Sequence, residues 1–252
     1  FFLFTHLLKK TLNLFNFNPF IFNMKGIHQI FWDFKEVHQV YGIFQDGISW
    51  EDIPEFKDNI IATQKFCKEN NYDYMMWSLK DCEELLIEDY PEYIDLWNNF
   101  RYPVQKCDFI RYCILFKFGG CYIDCDVKPL KSLEDIFQAD QYFTYWQCDK
   151  KKKPYNAVMG TKKNNPLFLE IIKEVEKSFY EKESLEIYKT WKGRFVYQTT
   201  GHSMLNRVIK KQQISKDKYF HDVIYIENKK KKYSIGNKES ALFIDSNAST
   251  WY

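Results

Sequence analysis

The feature that most constrains the fold lies near the middle of the chain. A run from Pro103 to Phe118 has helical character and stops at Gly119-Gly120, after which Cys121-Tyr-Ile-Asp-Cys-Asp126 reads as an apolar strand ending in two acids. A helix that feeds a strand through a glycine pair is one crossover of an α/β sheet. Flanking segments repeat the alternation. Gly26 to Trp32 and Tyr72 to Trp77 read as strands around a helix from Phe56 to Asn70, an acidic helix opens at Asp81, and Pro91 begins another. Further strands are expected over Tyr142–Gln147, Tyr155–Gly160, Val223–Glu227 and Ala241–Asp245. A long amphipathic helix begins near Asn165-Pro166. The expected class is α/β, with ligands bound beyond the carboxyl ends of the strands.

At 252 residues with 45% hydrophobic content, one large domain is the expected count. Lys+Arg 36 against Asp+Glu 34 leaves a net charge of +2, which argues against nucleic acid as a partner. The lysine runs at 150–153 and 229–232 read as solvated loops. Seven cysteines, an odd number without paired zinc-site spacing, read as reduced and mostly buried thiols in a reducing compartment. The opening Phe1 to Leu8 is apolar, but Lys9-Lys10 interrupts it before the roughly 18–20 residues a membrane-spanning helix needs. Residues 1–23 are expected to be an extension or anchor remnant outside the fold and 24–252 the domain, with any membrane association confined to that extension.

Chemistry concentrates around the glycine pair. If the strand continues to Asp126, alternation sets Tyr122, Asp124 and Asp126 on one face. Like charges so placed repel, and a divalent cation held by hard oxygen ligands, Mg²⁺ or Mn²⁺, is the usual remedy. Asp108 and Arg111 stand three apart on the preceding helix, either as a surface ion pair or aimed into the same cleft. His28, within an apolar strand, reads as a hydrogen-bonded core histidine, and Trp77, Trp97, Trp146 and Trp191 as packing residues.

The assembly Lys106 to Leu130, with Asp and Arg three apart, a Gly-Gly turn, an aromatic and then D-x-D, resembles the sugar-binding DXD glycosyltransferases of family 32. These include a yeast initiating mannosyltransferase and are distantly similar to the glucosylating clostridial toxins. Ile27-His-Gln-Ile30 resembles the family's opening strand, Thr200-Gly-His202 its T-G-P turn, and Ala241 to Trp251 its terminal I-H-x-x-x-x-S-W. The resemblance implies a GT-A type, Rossmann-like single domain with a mixed central sheet, and a metal-dependent, retaining transfer of a hexose from a UDP- or GDP-sugar to a glycan or protein acceptor. It implies Asp108 and Arg111 on the donor sugar, Asp124 on ribose or sugar, and Tyr122 and Asn156 beside the donor. Asp126 would ligate Mn²⁺ or Mg²⁺, with Asp245, Asn247 or Ser249 completing the shell and Trp251 packing over the diphosphate. Phe31 and Trp32 lie on opposite faces of a strand, and one of them would meet the nucleobase. Asp245 stands where the family has histidine, exchanging a nitrogen ligand for an oxygen one. Two alternatives compete: a degenerate sugar-nucleotide or glycan-binding protein, and a haloacid-dehalogenase-type phosphatase, for which no later Gly-Asp motif is present. Location is expected to be cytoplasmic, or Golgi-like at a membrane.

Overall fold

The computed structural model describes residues 25–32, 49–146, 153–188, 191–214, 223–228, 233–235, 239 and 241–246. Among these, nine strands form one mixed sheet. They are β1 (Gly26–Ile30), β2 (Asp73–Trp77), β3 (Gly120–Ile123), β4 (Val127–Pro129), β5 (Gln141–Trp146), β6 (Pro154–Thr161), β7 (Val223–Asn228), β8 (Tyr233–Ile235) and β9 (Phe243–Asp245). The order is β2-β1-β3-β6-β5-β7-β9-β4, with β8 paired to β7. β1 runs parallel to β2 and β3, whereas β6 is antiparallel to both β3 and β5. The amino end of β6 therefore lies at the carboxyl end of β3. The expected α/β class with a mixed central sheet is what the chain forms.

The helices are α1 (Pro54–Asn70), α2 (Leu79–Asp89), α3 (Ile94–Asn99), α4 (Pro103–Phe118), α5 (Glu134–Gln138), α6 (Pro166–Lys182), α7 (Lys192–Thr199) and α8 (His202–Lys211). Local chemistry explains several boundaries. Proline stands first in α1, α4 and α6, where its missing N–H costs nothing. Ser78 and Asp81 form a reciprocal capping box on α2, and the Asn165 side chain accepts from the Leu167 N–H on α6. The segment after Pro91 is a short 3₁₀ turn, Pro91–Tyr93, leading into α3.

Alternation along β3 divides the core. Tyr122 faces the larger cluster, with Trp77, Phe109, Phe143, Phe168 and Phe179, while Cys121 and Ile123 face the other, with Ile27, Val127, Tyr142 and Phe243. α4 is buried around most of its circumference, which is why its apolar residues show no single stripe. Gly119 and Gly120 have φ +71° and +84°, and a Cβ on Gly120 would meet the Gly26 carbonyl oxygen at 2.3 Å. Only glycine satisfies both the turn and that approach.

One expectation changes here. β3 ends at Ile123, and Asp124 to Asp126 form a tight turn closed by Val127 N–H donating to the Asp124 carbonyl at 3.0 Å. The two acids therefore do not share a strand face. The turn also bends the sheet: β3 and β4 are five positions apart in strand order, about 24 Å if flat, yet four residues span at most about 14 Å. The sheet must fold back so that its far edge meets β3 at the turn.

The six described cysteines, Cys67, Cys82, Cys107, Cys113, Cys121 and Cys125, are unpaired thiols, five of them buried. Cys148, residues 1–23 and most of both lysine runs lie outside the described residues. Among those described, no helix is long and apolar enough to cross a membrane.

Candidate active site at the DXD turn

Arg111, on α4, is the hub of the site. Its Nη2 lies 3.2 Å from Asp108 Oδ1, and its Nη1 lies 3.0 Å from Asp124 Oδ1 and donates to the Asn156 carbonyl at 2.9 Å. Nε bonds the Cys107 carbonyl, and the guanidinium sits 4.6 Å over the Tyr122 ring. The plain alternative of a surface ion pair is thus excluded, since Asp108 and Arg111 are 4% and 5% exposed. Asp108 is saturated with donors: Asn156 Nδ2 reaches Oδ1 and Thr200 Oγ1 reaches Oδ2, each at 2.9 Å. Tyr112, one turn along α4, donates to the Thr200 carbonyl at 2.8 Å. Asp124 Oδ1 also accepts from the Tyr122 hydroxyl at 2.7 Å.

These contacts fix the electrostatics. Burial pushes the Asp108 carboxyl up to about 6, with Arg111 and the Thr200 and Asn156 donors pulling the other way. Burial also raises Asp124, opposed by Arg111 and the Tyr122 hydroxyl. For Arg111, burial alone favours loss of the proton, but Asp124 and Asp108 outweigh it and hold the cation.

Asp126 sits in a different setting. Its carbonyl accepts from Asn59 Nδ2 at 3.0 Å and from the Ser246 N–H at 2.8 Å, and Asn59 Nδ2 also reaches Ser246 Oγ at 2.8 Å. Antiparallel pairing sets Asp245 opposite Val127, and these two are buried at 2% and 0% exposure. Asp126 and Ser246, the next pair out, are half-buried. Ser246 therefore meets the main chain of Asp126, with its hydroxyl on the same Asn59 amide. Among the described residues no group of three or more His, Cys, Asp or Glu could hold a metal ion. The turn nevertheless offers hard oxygen donors of the kind Mg²⁺ and Mn²⁺ prefer. Asn247, Ser249 and Trp251, expected at this site, lie outside the described residues.

The remaining expectations sort by burial. Trp32 is 5% exposed and packs edge-on against Trp97, whereas Phe31 is half-buried against Phe56. Of the two rings, Phe31 retains an accessible part. His28 is a core histidine: Trp77 Nε1 donates to its Nδ1 at 3.2 Å, its Nε2 meets the Gly119 carbonyl at 3.1 Å, and burial lowers it to about 4. Trp77 and Trp97 are packing residues as expected, but Trp191 is 59% exposed and the Trp146 side chain lies outside the described set. Gln29, held by the Tyr74 hydroxyl, donates to the Asp124 carbonyl.

Tyr112, Asn59 and Ser246 were not singled out from sequence, and Thr200 only as part of the Thr200-Gly-His202 turn. A signal existed for Asn59, which with Thr63 interrupts the buried face of α1 formed by Phe56 and Ile60.

A family model described as "Glycosyltransferase sugar-binding region containing DXD motif" matches residues 57–143. Inositol phosphoceramide mannosyltransferase 3 of Schizosaccharomyces pombe is 27% identical over 123 residues, 48% of this chain and 34% of that protein. Mannosyl phosphorylinositol ceramide synthase SUR1 of Saccharomyces cerevisiae is 31% identical over 146 residues, 56% of this chain and 34% of that protein. The matches thus take in about a third of the length of these curated relatives. Among solved structures, "PaToxG Glycosyltransferase" aligns with a TM-score of 0.42 at 14% identity, covering 75% of this chain and 69% of that one. Residues 57–143 thus carry the resemblance to the DXD glycosyltransferases read from the motif.

Proposed function

We propose that this chain, which carries a DXD glycosyltransferase sugar-binding region over residues 57–143, is a metal-dependent, retaining hexosyltransferase of GT-A type. The observation that supports it most is the Arg111 hub, which ties the buried Asp108 to the half-buried Asp124, two residues before Asp126. Asp108 and Arg111 bind hydroxyls of the donor sugar, and Asp124 orients the ribose or sugar. Asn156 and Tyr122 hold those groups in place. Phe31 takes the nucleobase in preference to Trp32, because its ring is the accessible one.

Asp126 would hold Mn²⁺ or Mg²⁺, with Asp245, Ser246, Asn247 or Ser249 completing the shell and Trp251 packing over the diphosphate. When bound, the cation supplies Lewis-acid neutralisation of the leaving nucleoside diphosphate. A bond forms between the sugar C1 and the acceptor oxygen as the C1–O bond to diphosphate breaks. The diphosphate keeps the bonding electrons and takes the acceptor's proton. Both oxygens of Asp108 are engaged by protein donors, so that acid is not poised as a nucleophile, which favours front-face attack with retention. The names of the relatives favour mannose as the sugar and an inositol-phosphate lipid among hydroxyl acceptors.

Incubation with Mn²⁺ and a panel of UDP-glucose, UDP-galactose, UDP-N-acetylglucosamine and GDP-mannose tests this. Nucleoside diphosphate release stimulated by metal is expected, strongest with GDP-mannose and lost in Asp126→Ala. Release that is equal in Asp126→Ala, or donor binding by calorimetry with no release from any of the four, overturns the reading.

A further inference from the structure

Three half-buried rings stand beside Asp108 without a place in the chemistry above. His202 lies 4.5 Å from Tyr197 and 6.5 Å from Tyr155, ring centre to ring centre, with interplanar angles of 50° and 54°. They come from three elements: Tyr155 from the amino end of β6, Tyr197 from α7 and His202 from the first position of α8. Two links tie them to the site. Tyr155 precedes Asn156, whose amide holds Asp108. Gly201 precedes His202, and a Cβ on Gly201 would stand 3.2 Å from Tyr197 Cα and 3.6 Å from Asp108 Oδ2. Gly201 therefore lets the main chain before His202 pack closely between the Tyr197 backbone and the Asp108 carboxylate.

The rings differ from the core aromatics. Phe143 and Phe168, for example, are fully buried and stacked at 6°. The trio is tilted, partly open to solvent and tipped with two phenol hydroxyls and an imidazole. Such a surface offers apolar faces with polar edges, which complements a ring with C–H groups on its faces and hydroxyls around its rim.

We infer that Tyr155, Tyr197 and His202 form an acceptor subsite for a neutral polyol ring, a pyranose or a cyclitol, stacked on its C–H face. The inference rests on the transferase reading for what the bound ring does, but not for whether it binds. Stacking here brings a rim hydroxyl alongside the Asp108 end of the donor site, where a transferable sugar would lie.

Saturation-transfer NMR and kinetics test it together, using methyl α-D-mannopyranoside and myo-inositol as separate probes with GDP-mannose as donor. Saturation of the aromatic protons is expected to reach the ring C–H protons of one probe and to disappear in His202→Ala. The probe that responds distinguishes pyranose from cyclitol. In the same variant the ratio of transfer to donor hydrolysis is expected to fall roughly tenfold, the equivalent of one lost contact of about 1.4 kcal/mol. Tyr197→Ala repeats the test, and His202→Ala suffices if that variant does not fold. Saturation and ratio both unchanged in His202→Ala overturn the subsite. Saturation that is present and lost in the variant, from a protein that turns over no donor, keeps the subsite and removes the transferase reading.

Discussion

Asp124 and Asp126 are separated by one residue, yet their settings have little in common. Asp124 faces a group that is complete without any ligand: Arg111 links it to Asp108, Tyr122 caps it, and Asn156 and Thr200 occupy the far carboxylate. Asp126 is fixed through its backbone, by Asn59 and Ser246, while its side chain stays half-buried in the turn. The difference teaches that the motif divides its labour. The main chain of both acids is pinned, by Gln29 and Val127 at Asp124 and by Asn59 and Ser246 at Asp126, and the carboxylate of Asp124 is gripped by Arg111 and Tyr122 before anything binds.

That contrast breaks most readily at Arg111. Arg111→Met removes the cation between the buried Asp108 carboxylate and the half-buried Asp124 one, and a loss of about 3–5 kcal/mol in chemical denaturation is expected. A loss under about 1 kcal/mol would mean that Asp108 and Asp124 do not depend on it.

The pH dependence sharpens the comparison through two buried groups of opposite sign. His28 is lowered to about 4, so between about 4 and its unfolded value of 6.5 only the unfolded chain is protonated there, and stability rises with pH. Asp108 is raised to about 6, so between 3.8 and about 6 only the folded chain is protonated there, and stability falls with pH. In the shared window the two slopes oppose each other. Asp108→Asn should therefore make the slope of unfolding free energy more positive by up to about 1.4 kcal/mol per pH unit between pH 4 and 6. Denaturation midpoints at three pH values would show it, and an unaltered slope would mean that Asp108 is ionised throughout.

The smallest effect belongs to Asp126→Asn. With its backbone contacts intact and its side chain half-buried, the isosteric variant should unfold within about 1 kcal/mol of the parent. A loss comparable to Arg111→Met would erase the distinction between the two acids.

Much of this was legible in the chain because local rules carried it. Pro103 and Gly119 bound α4 as read, Asn165-Pro166 opens α6, and His28 proved a core histidine. The stop of β3 at Ile123 was not legible, because a turn of Asp, Cys and Asp lacks the glycine or proline that usually marks one. α7 and α8 were missed as well: Thr200-Gly201 reads as a turn, and the helices on either side are short. Thr200 was read only as part of that turn, and its bond to Asp108, which spans 92 positions, leaves no trace in local pattern. The face of Asp245 likewise depends on pairing with β4, a register that alternation within its own segment does not fix.

The folding back of the sheet at this turn has a consequence for the order of synthesis. Among the described residues β4 pairs only with β9, and β9 is made more than a hundred residues later. While the chain is still growing on a ribosome, α4, β3 and β6 can already enclose Arg111, since all three are complete by Thr161. The Thr200 hydroxyl joins once α7 is made. The strand beside Asp126 arrives last. A nascent or truncated chain could thus acquire the Arg111 half of the site while the Asp126 half is still unformed, so that loss of the last strand would leave the turn unpaired without unmaking the Arg111 cluster.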